Sequence, residues 1–68
     1  MDDNSIGSQI KYWRKKRNMK QVELAEKAGI FPQNLSYYES GKRTVSMETL
    51  KKICEILRVD ITLTTKQL

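Results

Sequence analysis

The sequence predicts an all-α fold, a compact bundle of four to five short helices followed by a short C-terminal β-strand. Three observations carry that expectation. Apolar residues recur at helical spacing in separate short runs along most of the 68 residues. Asn18, Gly29 and Gly41 punctuate those runs, and asparagine and glycine are the residue types that close helices in the left-handed conformation. The final stretch, VDITLTTKQL, abandons the helical period, and Val59, Ile61 and Leu63 alternate with Asp60, Thr62 and Thr64.

The first helix follows Ser5, whose hydroxyl suits an N-cap, and Ile6, Ile10 and Trp13 mark its inner stripe. The second begins near Gln21. Lys20 is a poor cap there, and Met19 with Leu24 can act instead as a hydrophobic staple. Leu24, Ala25 and Ala28 form its buried side, and Gly29 ends it. Pro32 suits the first turn of a third helix, where its missing N–H costs nothing. Only Gly29, Ile30 and Phe31 separate the second and third helices, so the turn between them is tight. With Leu35 inward, Tyr38 shares the inner face and Glu39 borders it, whereas Gln33 and Tyr37 project from the opposite side. The fourth helix is capped by Ser46, carries Glu48 in its first turn, and buries Leu50, Ile53, Cys54 and Leu57. A lone terminal strand cannot satisfy its own backbone groups. Pairing with the same strand of a second copy would satisfy them, so residues 59–68 are a candidate dimerisation element.

Composition narrows the function classes. Lys and Arg number 13 against 8 Asp and Glu, a net charge of +5 that favours a polyanionic partner. There is no histidine, no second cysteine and no glycine-rich phosphate loop, so no catalytic, metal-binding or cofactor constellation is expected. Cys54 reads as a small core residue, consistent with a reducing cytoplasm. No run reaches membrane-spanning length, and the acidic, polar start is unlike a secretory signal.

The stretch QVELAEKAGIFPQNLSYYESGKR resembles the helix-turn-helix of the phage repressor and Cro family, the XRE-type, lambda-repressor-like DNA-binding domains. IGSQIKYWRKKRNMKQ upstream and SMETLKKICEILRV downstream resemble the family's first and fourth helices, so the likeness spans residues 1–58 nearly completely. Small Ala25 lets the third helix cross the second closely, and in this motif the N-terminal half of the third helix enters the major groove. The resemblance implies that Phe31, Pro32, Gln33 and Tyr37 face base edges. Gln33 is the best direct reader, because an amide pairs bidentately with adenine. It further implies phosphate contacts from Gln21, at a helix N-terminus, and from Asn34, Ser40, Lys42 and Arg43. It pairs Arg14 with Glu39 as a structural ion pair linking the first and third helices. Phe31 departs from the family, which has a capping Ser or Thr there, and Val45 replaces a common proline.

The function so implied is a cytoplasmic, sequence-specific regulator of double-stranded DNA, a repressor binding a near-palindromic operator as a homodimer. Phage-type regulator, antitoxin with a toxin partner, and restriction controller are its candidate roles. The alternative is a protein–protein adaptor that keeps the fold without specific DNA binding.

Overall fold

A computed structural model describes residues 5–59, and four helices make up that span: α1 (Ile6–Lys16), α2 (Gln21–Ala28), α3 (Pro32–Ser40) and α4 (Met47–Leu57). The alternating tail expected to form a strand lies outside the described residues, apart from Val59. Ser5 caps α1 by accepting from the Ser8 N–H at 3.2 Å, and Ser46 caps α4 by accepting from the Thr49 N–H at 3.1 Å. Neither α2 nor α3 has a side-chain cap.

Each helix closes in the same way. Asn18, Gly29, Gly41 and Arg58 all take positive φ, at 58°, 73°, 84° and 61°. The next residue's N–H then reaches back five positions: Met19 to Arg14, Ile30 to Ala25, Lys42 to Tyr37, and Val59 to Cys54, at 2.9–3.1 Å. That bond satisfies a carbonyl the helix would otherwise orphan.

The core comprises Ile10, Leu24, Ala25, Ala28, Leu35, Leu50, Ile53, Cys54 and Leu57, with Ile6, Trp13, Met19, Ile30, Val45, Ile56 and Val59 packed around it. Helix α3 lies against α1 and α2, and α4 lies against the same two helices. Tyr38, expected in the core, is only half-buried. The reason is the closeness of α1 and α3. Tyr38's backbone carbonyl abuts Gly7, and the residue lines an open cleft of about 200 Å³ beside Ile6, Gly41 and Val45. Leu35 holds the inner position alone, and Glu39 is the other buried residue of α3.

Arg17, in the basic run KYWRKKR, joins the two ends of the bundle. Its Nε donates to the Leu57 carbonyl at 2.8 Å, and its guanidinium lies 5.4 Å from the Trp13 ring centroid. A cation at the C-terminus of α4 also meets the negative end of the helix dipole.

Candidate nucleic-acid interface

Three helices are fastened behind the outer face of α3 by one charged network. Arg14 donates from Nε to Glu39 Oε2 at 2.7 Å and from Nη2 to Oε1 at 3.1 Å. Its Nη1 donates to the Met19 carbonyl at 2.8 Å. Gln21 Nε2 donates to Glu39 Oε1 at 3.0 Å. Arg14 is 7% and Glu39 8% exposed, and no buried side-chain polar atom among the described residues lacks a partner. The planar guanidinium fork matches the carboxylate edge, which fixes geometry as well as charge. A side chain from each of α1, α2 and α3 therefore meets at one carboxylate, and the angle between α2 and α3 is set there and at Ala25.

The outer face of α3 is built around Tyr37. Gln33 and Tyr37 stand four residues apart on one helix face, and Gln33 Nε2 donates to the Tyr37 hydroxyl at 2.7 Å. Arg43 lies over the Tyr37 ring at 5.7 Å from its centroid. The Tyr37 carbonyl accepts from the N–H groups of Lys42 and Arg43, at 2.9 and 3.3 Å, and from Ser40 Oγ at 3.2 Å. Gln33, Ser40, Lys42 and Arg43 are exposed, Asn34 and Tyr37 half-buried. An amide, a phenol and two cations are thereby gathered on one solvent-facing surface.

The residues named from sequence divide into three groups. Phe31, Pro32, Gln33 and Tyr37 occupy the start and outer side of α3. Lys42 and Arg43 follow on the turn after it, and the Ser40 hydroxyl is engaged in holding that turn. Gln21 gives one amide N–H to Glu39 and keeps a second, which joins the uncapped backbone N–H groups of α2 as donors to an anion at this helix start. Sequence reasoning passed over Gly7 and Arg17. A glycine inside a helical pattern and an arginine four residues after Trp13 were the available signals.

Phe31 is the anomaly of this face. It sits at the N-cap of α3 with no capping bond and is 74% exposed. Replacing it with serine is expected to stabilise the domain by about 1 kcal/mol, the usual worth of an N-cap hydroxyl. Thermal unfolding followed by circular dichroism checks this, and a lower midpoint would mean that the ring contributes packing.

Among the described residues no helix is long and apolar enough to cross a membrane, and no cluster of acidic, cysteine or histidine side chains forms a metal site.

A helix-turn-helix family model matches residues 10–63. An uncharacterized HTH-type transcriptional regulator of Archaeoglobus fulgidus is 39% identical over 61 residues, covering 88% of this chain and 26% of that protein. The ImmF control region 10 kDa protein of Bacillus phage phi105 is 33% identical over 61 residues, covering 90% of this chain and 68% of the phage protein. Antitoxin PezA of Streptococcus pneumoniae is 41% identical over 54 residues, covering 79% of this chain and 34% of PezA. The chain thus spans only about a quarter to a third of two of these relatives. Among solved structures, SinR of Bacillus subtilis in complex with DNA superposes with a TM-score of 0.81 at 35% identity, covering 90% of this chain and 98% of SinR's. A complex of SinR with SinI gives 0.80 at 36% identity, covering 88% of this chain and 59% of the other. From the extent of the family match and the identity to the phage protein, the chain belongs to the XRE-type helix-turn-helix family of DNA-binding transcription regulators.

Proposed function

We propose that the chain is a sequence-specific, double-stranded-DNA-binding repressor that reads a near-palindromic operator as a homodimer through the outer face of α3. The observation that carries this reading is the Gln33–Tyr37–Arg43 assembly, exposed on a helix held rigidly from behind by Arg14 and Glu39. In a helix-turn-helix such a helix lies in the major groove, and two copies meet half-sites about 34 Å apart. Gln33 reads a base edge, Tyr37, Phe31 and Pro32 lie beside it, and Lys42 and Arg43 hold phosphates, with the start of α2 and Asn34 as flanking anchors. The net charge of +5 adds attraction to any DNA. The phage and antitoxin relatives support two roles, a phage-type regulator or an antitoxin with a protein partner.

The second reading is an adaptor that binds a protein through this face, favoured by the bare Phe31 ring beside Pro32. Gln33→Ala separates the two. For a base reader it is expected to lower affinity for the preferred site by about 1–3 kcal/mol and relax selectivity at one base position, measured by fluorescence anisotropy on matched duplexes. DNA binding that is absent, or indifferent to this substitution and to sequence, would favour the adaptor.

A further inference from the structure

The bond between Gln33 and Tyr37 decides which hydrogen-bonding edge the glutamine presents. An amide has one acceptor oxygen and two N–H donors. With one N–H given to the Tyr37 hydroxyl at 2.7 Å, Gln33 retains its oxygen and a single N–H. That acceptor–donor pair complements the N6 amino group and N7 of adenine. Guanine shows two acceptors, N7 and O6, on the same edge, and the retained amide oxygen would face one of them unfavourably. A glutamine unsupported on an exposed helix can turn its amide over and offer both N–H groups to guanine. Here such a turn sets the amide oxygen against the Tyr37 hydroxyl, which can keep the bond only by turning its own proton inward to donate.

Tyr37 is itself held from two sides. Arg43 covers its ring at 5.7 Å, and its carbonyl is tied to the turn by the N–H groups of Lys42 and Arg43. Because the hydroxyl acts as acceptor toward Gln33, its own proton is left for a further acceptor. On DNA, a base or phosphate oxygen next to the adenine can take it. Once that proton is engaged outward, the phenol oxygen can only accept, which commits the Gln33 N–H to it.

We propose that Tyr37 is a positioning residue that sets the orientation of the Gln33 amide and so makes α3 select adenine over guanine at one position of each half-site. This rests on α3 being a DNA-reading helix. Tyr37→Phe is the informative variant, because it keeps the ring under Arg43 and deletes only the hydroxyl.

The test measures binding of the wild type, Y37F, Q33A and the double variant to the duplex enriched by the wild type and to a set with each A·T pair changed to G·C. The wild type is expected to prefer adenine at one position by about tenfold. Y37F should reduce that ratio severalfold while the salt dependence of binding and the thermal midpoint stay at wild-type values. Q33A should abolish the ratio, and Y37F should then change nothing further at that position. An unchanged ratio in Y37F, or an equal loss with and without Gln33, overturns the proposal. If Q33A keeps every preference, Gln33 is not a reader and the proposal fails while DNA reading by α3 stands. If the wild type enriches no sequence, the reading of α3 fails and the proposal goes with it.

Discussion

Glu39→Ala is expected to leave the domain largely unfolded at 25 °C. The substitution strips Arg14 of the acceptor for two of its three hydrogen bonds and leaves only the Met19 carbonyl. It also frees Gln21 Nε2 from its one partner. Breaking a buried ion pair by removing one partner costs about 3–5 kcal/mol, because the remaining charge stays desolvated without compensation. A single core in a chain of this size rarely supplies more than about 3–5 kcal/mol in total, so the loss is comparable to the whole stability. Urea denaturation followed by far-ultraviolet circular dichroism measures it directly. Removing both charges at once is a different experiment. The double variant Arg14→Met, Glu39→Leu takes away the desolvated charge together with its partner, and is expected to lie within about 2 kcal/mol of the wild type. A double variant as unstable as E39A would contradict this account of the pair.

Gly7→Ala is expected to lower the melting temperature by about 10–20 °C, where an ordinary glycine-to-alanine change inside a helix would raise it. A Cβ on residue 7 would collide with the Tyr38 carbonyl oxygen, and would also lie 3.1 Å from the Tyr38 carbonyl carbon and 3.2 Å from the Glu39 oxygen. These are backbone atoms of α3, so no rotamer change relieves the contact. Either α1 and α3 separate or the first turn of α1 unwinds. Separation would also stretch the Arg14–Glu39 pair between the same two helices. Overpacking a tight interior costs about 1–3 kcal/mol, and rigid backbone on one side puts this case at the upper end. Gly29→Ala is the control. Nothing lies within 4 Å of its would-be Cβ, so its cost is the positive φ of 73° alone, about 1–2 kcal/mol. A melting temperature for G7A equal to or above the wild type's would mean that α1 and α3 do not approach this closely.

The local elements were legible because their signals are local. Ser5 and Ser46 announce helix starts, Asn18, Gly29 and Gly41 announce ends, and the spacing of Ile10, Leu24, Leu35 and Ile53 places the core stripes. Arg58 at positive φ carried no such warning, since arginine has no preference for the left-handed region. What depends on the approach of distant segments was not readable from periodicity. Gly7 matters only because Tyr38 passes over it, and Arg17 only because the end of α4 comes to rest beside it. For the same reason Tyr38, three residues from Leu35 on the inner side, ends at the rim of a cleft rather than in the core. The outer face of α3 was more accessible to sequence. Gln33 and Tyr37 are one helical turn apart, and the helix brings them together without help. Placing Arg43 over Tyr37 takes the turn at Gly41, and bringing Gln21 to Glu39 takes the whole crossing of α2 and α3.

Selection from a random duplex library at near-physiological salt, followed by sequencing, measures most directly whether the chain reads DNA sequence as a dimer. A dimeric operator reader is expected to enrich an inverted repeat whose half-sites are centred about one helical turn apart, each with a fixed adenine at one position. Salt-sensitive binding with no enriched sequence would leave only the electrostatic attraction of a basic protein for DNA, and would contradict that reading.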